Sequence, residues 1–129
     1  MTDSIERLHA AVLAARNGDP ASSRTARLFR AGRSKMAKKL AEEAVEVVID
    51  TLNGNTAAVV RESADLMYNL VVLWVSAGVR PEDVWAEMDR RERLLGIAEK
   101  IPKRMLASAE PAPRRKVVAL ATQRLRKRR

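Results

Sequence analysis

Acidic side chains are concentrated in two short segments of the chain. The stretch EEAVEVVID at residues 42–50 holds four acids in nine positions. The stretch ESADLMYNLVVLW at residues 62–74 is mostly apolar, yet it carries Glu62, Asp65 and Asn69. A buried carboxylate without a partner costs several kcal/mol, so we expect a positive group to compensate these acids.

Both segments lack histidine and cysteine, so every ligand atom that their acids offer to a metal is an oxygen. Sites made only of oxygen suit hard divalent ions, here Mg²⁺, with Mn²⁺ as the alternative. Mg²⁺ in proteins is commonly held by a few carboxylates together with the phosphates of a substrate. Four cations that could bind such phosphates stand one to two helical turns before the acids: Arg33, Lys35, Lys38 and Lys39. These neighbours predict a metal and phosphate site, and a structural network of acids neutralised by lysine and arginine is the alternative.

The acids of the first segment share one side of a helix. An ideal helix turns ~100° per residue, which places Glu42, Glu43 and Glu46 within about 100° of one another. Lys35 and Lys39 fall on the same side, so this side could also be a solvated face with ion pairs between residues four apart. The opposite side is apolar, and we assign it to the core; it consists of Val45, Val48, Ile49 and Leu52.

The second segment favours a buried site, because its polar side chains are surrounded by apolar ones. Glu62, Asp65 and Asn69 lie within about 60° of one another on a helix that is apolar on several sides. Such a helix is central in a bundle or is buried at a subunit interface. The turn signal NGN at residues 53–55 makes the two helices antiparallel neighbours, so we predict that their acidic sides face each other.

The elements that position these acids are predicted to be helices, since strand alternation is nearly absent. The first helix follows a D-x-x-E cap at Asp3, the second is capped by Ser22 or Ser23, and the third is capped by Ser34. The first ends at the NGDP turn at 17–20 and the second at Gly32; the others span about residues 34–52, 56–77 and 81–93. Short connections predict an all-α antiparallel bundle of about five helices, completed by dimerisation.

Composition limits the classes of protein that remain. The 129 residues contain no cysteine, which excludes thiolate nucleophiles and cysteine-bound zinc, and they contain no P-loop motif. No signal-peptide core or membrane-spanning run occurs, so we expect a soluble cytoplasmic protein. Of the net charge of +9, residues 110–129 contribute +7, from eight basic residues and one acid. We therefore predict a domain at 1–109 and a basic tail at 110–129 that could bind polyanions.

The acidic motif and its surroundings resemble a known family. EEAVE and ESAD, separated by fifteen residues, form an E-E-x-x-E and E-x-x-D pattern that resembles the all-α nucleotide pyrophosphatase superfamily, the MazG-like proteins. Four longer stretches narrow the resemblance to the phosphoribosyl-ATP pyrophosphatases: RNGDPASSRTARLFRAG, KMAKKLAEEAVEVVI, ESADLMYNLVVLW and LLGIAEK. The resemblance covers about residues 5–104.

The resemblance implies Mg²⁺-dependent hydrolysis of phosphoribosyl-ATP to phosphoribosyl-AMP and pyrophosphate, in histidine biosynthesis, by a homodimer or larger homo-oligomer. The metal ligands that it implies are Glu42, Glu43, Glu46, Glu62 and Asp65. Either Glu43 or Glu46 would accept a proton from the attacking water. The substrate-binding candidates are Lys35 and Lys39, which the resemblance implies, together with Arg33, Lys38 and Asn69.

Three positions depart from the family pattern. Ala41 stands where the family usually has Gly, and Leu95 precedes Gly96 where it tends to have Ser. Asn69 follows Tyr68 where the family usually has His; Asn keeps the hydrogen bonding but cannot titrate near neutral pH. The alternative within the superfamily is therefore a house-cleaning nucleoside triphosphate pyrophosphohydrolase. The alternative outside it is a non-catalytic, polyanion-binding helical module that acts through the tail.

Overall fold

A computed structural model describes the backbone of residues 3–95 and the side chains of residues 3–94. This part of the chain forms five α-helices and no strand, so the predicted all-α bundle is confirmed. The helices are α1 Ser4–Ala15, α2 Arg24–Ala31, α3 Arg33–Leu52, α4 Thr56–Ala77 and α5 Pro81–Leu95. None of these helices is long and apolar enough to cross a membrane. The predicted domain boundary at 109 and the basic tail lie outside the described residues.

The side chains of the N-cap residues determine where α1 and α2 begin. Asp3 Oδ1 accepts a hydrogen bond from Glu6 N at 2.7 Å, and Glu6 Oε2 accepts one from Asp3 N at 3.3 Å. This reciprocal pair satisfies two of the backbone donors that a helix start leaves free. Of the two serines predicted to cap α2, Ser23 is the one that does so, since its Oγ accepts from Ala26 N at 3.1 Å.

The predicted cap of α3 is wrong. The helix begins at Arg33, one residue before Ser34, and its N-cap is Gly32, which offers no side-chain hydrogen bond. Gly32 also ends α2 and has a φ of 99°, a conformation that favours glycine. A single residue therefore joins the two helices, and this leaves no position before α3 for a capping side chain.

The helices α3 and α4 form an antiparallel hairpin around the turn at 53–55. The helices α1 and α2 pack against this hairpin near the start of α3 and the end of α4. Arg33 links the start of α3 to the end of α4. Its Nε donates to Ser76 Oγ at 2.9 Å, and its Nη2 donates to Ser76 O at 2.6 Å. The buried core there consists of Val12, Leu28, Met36, Val71, Val72 and Val75.

The apolar side of α3 is exposed, so its assignment to the core is wrong. Val45, Val48, Ile49 and Leu52 are 55%, 57%, 50% and 82% exposed. The reason is that α1 and α2 cover only the other half of the hairpin, where the buried core residues lie. We call these four residues the exposed apolar side of α3.

The chain divides into two compact units between Trp85 and Ala86, within α5. The first unit contains α1–α4 and the start of α5, where Trp85 packs edge-on against Trp74 with ring centroids 6.2 Å apart. In the second unit, Glu87 pairs with Arg90 at 3.3 Å and with Arg91 at 2.9 Å. The predicted site residues all belong to the first unit.

Candidate metal and phosphate site

Three of the predicted metal ligands come together between α3 and α4. One carboxylate oxygen from each of Glu43, Glu62 and Asp65 lies within 4.8 Å of the other two. All three side chains are half-buried. The antiparallel hairpin explains the grouping, because residues 62 and 65 lie one turn apart on α4 and face residue 43 on α3. We call these three residues the acidic cluster.

Glu46 adjoins the acidic cluster through Glu62. Hydrogen bonding with the carboxyl of Glu46, and then with that of Glu43, raises the pKa of Glu62 from its ordinary value of 4.5 to about 7. Desolvation and the negative charges of the same two neighbours raise this pKa further in the same direction. The shift means that these acidic neighbours favour the protonated form of Glu62, whereas a bound cation would favour its charged form.

The acidic cluster fits a hard divalent cation. An octahedral Mg²⁺ lies about 2.0–2.1 Å from its ligand oxygens, which places neighbouring oxygens about 3 Å apart and opposite ones about 4 Å apart. Oxygens within 4.8 Å of one another reach that arrangement through small side-chain movements. Within residues 3–94, the buried Oε2 of Glu43 has no hydrogen-bond partner, so this atom is available as a ligand. Mn²⁺ has similar ligand preferences and fits the same oxygen atoms.

Glu42 stands apart from the acidic cluster. It is exposed and lines an open cleft of about 480 Å³ on α3, together with Glu46 and Lys38. The same cleft includes Val45 and Ile49 from the exposed apolar side of α3. A ligand role for Glu42 and a phosphate contact by Lys38 therefore remain predictions.

A second open cleft, of about 400 Å³, lies between α2 and α3 and is basic. We call it the basic cleft; its lining residues are Arg24, Arg27, Leu28, Ala31, Lys35 and Lys39. It holds two of the predicted phosphate contacts, Lys35 and Lys39. Lys39 precedes Glu43 by one helical turn, so the cleft begins ~6 Å along α3 from the acidic cluster.

Two predicted substrate-binding residues make internal contacts. The guanidinium of Arg33 is bound to Ser76, as described above. Asn69 is 1% exposed, and its Nδ2 donates to the main-chain oxygen of Asp65 at 2.8 Å. Among the described residues, the buried Oδ1 of Asn69 has no hydrogen-bond partner. Asn69 thus contacts the backbone of a cluster residue, and its contact with a substrate remains a prediction.

The arginines of α2 are not among the residues predicted from the sequence. The Arg24 guanidinium lies over the Tyr68 ring, 4.7 Å from its centroid, and the Tyr68 hydroxyl lies 2.7 Å from Thr25 Oγ1. Arg27 Nη1 donates to Pro20 O at 2.9 Å. The signal in the sequence was the R-x-x-R spacing on a short helix beside a helix with lysines four residues apart.

Comparison with known proteins shows which family the sequence matches. Residues 5–92 match the family described as "Phosphoribosyl-ATP pyrophosphohydrolase". A Bradyrhizobium diazoefficiens protein named phosphoribosyl-ATP pyrophosphatase 2 is 68% identical over an alignment of 133 positions, which covers 99% of each chain. A Rhodopseudomonas palustris protein of that name is 66% identical over 131 residues, covering 100% of both chains. A phosphoribosyl-ATP pyrophosphatase of Gluconobacter oxydans is 52% identical over 96 residues, which cover 74% of this chain and 72% of its own.

Proposed function

Because the chain belongs to the phosphoribosyl-ATP pyrophosphohydrolase family, we propose that it hydrolyses phosphoribosyl-ATP to phosphoribosyl-AMP and pyrophosphate, with Mg²⁺ as its metal. The single observation that supports the chemistry is the acidic cluster, which is an oxygen-only cation site in a chain of this family. The proposed reaction belongs to histidine biosynthesis and takes place in the cytoplasm.

Different residues of the chain have different roles in this reaction. Glu43, Glu62 and Asp65 hold the cation, which when bound supplies positive charge beside the phosphates and lowers the pKa of a water. Glu46, which adjoins Glu62, accepts the proton of the attacking water, and Glu43 is the alternative acceptor. The water oxygen bonds to phosphorus while the anhydride P–O bond breaks. The electron pair of the broken bond leaves with pyrophosphate. The lysines of the basic cleft compensate the negative charge of that leaving group.

The proposed enzyme is a homodimer or larger homo-oligomer. The exposed apolar side of α3 supports this, because four neighbouring aliphatic side chains at least half exposed are unusual on a monomer. Val60 and Met67, on one side of α4, are also 66% and 52% exposed. A second copy that covers α3 would come close to the acidic cluster, since Glu46 lines the same cleft as Val45 and Ile49.

The experiment that tests the proposed function is a substrate panel with and without a chelator. Phosphoribosyl-ATP is compared with canonical and modified nucleoside triphosphates, and pyrophosphate release is measured in Mg²⁺. We expect phosphoribosyl-ATP to have the highest kcat/KM and all release to stop when the metal is chelated. Hydrolysis that persists in the chelator would refute the metal role, and a preference for modified triphosphates would refute the substrate.

That last outcome would establish the house-cleaning alternative, which Asn69 favours because it replaces a histidine of the family. The structure weakens this argument, since Asn69 is 1% exposed and its amide contacts the Asp65 backbone.

The basic tail lies outside the described residues, so its binding of polyanions remains a prediction. Truncation before Glu110 tests it: hydrolysis should persist while binding to heparin is lost. If the truncated chain still binds heparin, the tail is not the polyanion site.

A further inference from the structure

We propose that the basic cleft is a phosphate-binding subsite, in which Arg24 and Arg27 of α2 hold a phosphate group of the substrate that the acidic cluster does not hold. The inference rests on the proposed function and adds two binding residues to it. It also implies a substrate with phosphate in two places, one at the acidic cluster and one beyond it.

The charge of the cleft is the first support. Its lining includes four cations and no acid: Arg24, Arg27, Lys35 and Lys39. Within residues 3–94, none of these four cations is neutralised by a salt bridge. Like charges gathered in one cleft repel one another and attract an anion.

The two arginines are held in place by neighbours that leave most of their donors free. The Arg24 guanidinium stacks on the Tyr68 ring, and the hydroxyl of that ring is hydrogen-bonded to Thr25. Arg27 uses one of its N–H donors for Pro20 O. A guanidinium has five N–H donors in a planar fork, and two parallel donors match two oxygens of a phosphate. The α2 arginines are therefore ordered before the ligand arrives, which reduces the entropy lost on binding.

The position of the cleft relates it to the reaction. Lys39 and Lys35 precede Glu43 by one and two turns of α3, or ~6 Å and ~12 Å. Tyr68, which supports Arg24, follows Asp65 by three residues on α4. A nucleotide whose anhydride lies at the acidic cluster can therefore place another phosphate in the cleft. Phosphoribosyl-ATP offers two such groups, the end of its triphosphate and the 5′-phosphate of its added ribose.

Metal-free binding of small phosphates tests the inference. Without a divalent cation, the acidic cluster repels anions, so the part of the binding that is lost in variants of the cleft arginines reports on the basic cleft. Inorganic pyrophosphate and ribose 5-phosphate are titrated calorimetrically into the full chain and into its Arg24→Gln and Arg27→Gln variants. The matched control is Arg30→Gln, which removes an exposed arginine of α2 that lines a different pocket.

Loss of one charge-assisted contact should weaken binding about 10- to 100-fold in both variants, while the control binds like the wild type. A loss for pyrophosphate assigns the cleft to the triphosphate end, and a loss for ribose 5-phosphate assigns it to the added ribose. The KM for phosphoribosyl-ATP should rise by a similar factor, with a smaller change in kcat.

The inference is overturned if neither probe binds the wild type, or if both bind the folded variants as they bind the wild type. Arg27→Gln also loses the contact to Pro20, so Lys35→Gln serves as a further variant if that protein does not fold. Within residues 3–94, Lys35 makes no hydrogen bond or ion pair that its substitution would break. Because these titrations need no turnover, they separate a failure of the subsite from a failure of the proposed hydrolysis.

Discussion

At the scale of single residues, Glu46 and Asp50 make a natural comparison, since both are acids of α3 and stand one turn apart. Glu46 raises the pKa of Glu62, whereas Asp50 lines a separate cleft beside the turn at 53–55. The substitution Glu46→Gln should lower kcat about 10²- to 10⁴-fold, because the proton acceptor is removed while the side chain keeps its shape. Pyrophosphate release measures the loss, and circular dichroism checks the helicity.

The matched substitution Asp50→Asn removes the same charge from the same helix and should leave kcat within about twofold of the wild type. Equal losses in the two variants would mean that the general charge of α3 matters and that Glu46 has no special role.

The raised pKa of Glu62 predicts how stability changes with pH. In the metal-free protein, the folded state binds the Glu62 proton more tightly than the unfolded state, since its pKa is about 7 rather than 4.5. The resulting contribution to the free energy of unfolding is complete below the unfolded-state pKa of 4.5, and it is lost as the pH rises through the folded-state pKa of about 7. Urea midpoints of the metal-free protein should therefore fall between about pH 5 and pH 8.

In the Glu62→Gln variant that decline should be smaller, and saturating Mg²⁺ should reduce it in the wild type. A decline of the same size in the metal-free variant would show that other groups cause it.

The facing acids could be predicted from the sequence, because helical geometry and a three-residue turn leave the two acidic sides little freedom. The contacts of Arg33 and Asn69 could not. Arg33 reaches Ser76, and Asn69 turns into the core, through tertiary packing that helical spacing does not encode.

At the scale of elements, the start of α2 depends on one serine. Ser23→Ala removes the acceptor for Ala26 N and should lower the free energy of unfolding by about 0.5–2 kcal/mol. Ser22→Ala is the control, because Ser22 is exposed and its hydroxyl makes only a 3.4 Å contact with Asp19 O. Its effect should stay within about 0.5 kcal/mol in urea unfolding. If Ser22→Ala destabilises the protein as much as Ser23→Ala, the cap is misassigned.

The ends of a helix could be predicted from the sequence where a turn signal allows only one boundary. The helix α4 spans Thr56–Ala77, as its predicted range of about 56–77 had it; Asn55 caps its start, and Gly78, with a φ of 75°, ends it. The predicted cap at Ser34 failed because a good capping residue lay one position inside the helix. Only the tertiary arrangement of α2 and α3 determines that Gly32 alone joins them.

At the scale of the whole molecule, the exposed apolar side of α3 predicts self-association. Ile49→Asp places a charge on this side and should shift the protein toward a monomer in sedimentation experiments, because burying an unpaired carboxylate costs several kcal/mol. Leu13→Asp is the control; Leu13 is a 41% exposed apolar residue of α1, outside this side of α3. An assembly that survives Ile49→Asp, or that dissociates equally in the control, would place the interface elsewhere.

The sequence predicted an amphipathic α3 but could not say what covers its apolar side. A buried core and a subunit interface need the same residue types at the same spacing, so helical periodicity cannot separate them. Within residues 3–94, α1 and α2 leave this side of α3 uncovered, and the association proposed above would cover it.

The most direct measurement is a crystal structure with Mn²⁺ and a non-hydrolysable phosphoribosyl-ATP analogue, in which anomalous scattering locates the metal. We expect the ion within about 2.0–2.3 Å of oxygens from Glu43, Glu62 and Asp65, and in contact with a phosphate of the analogue. An ion bound to the nucleotide alone, with these three carboxylates uncoordinated, would contradict the account.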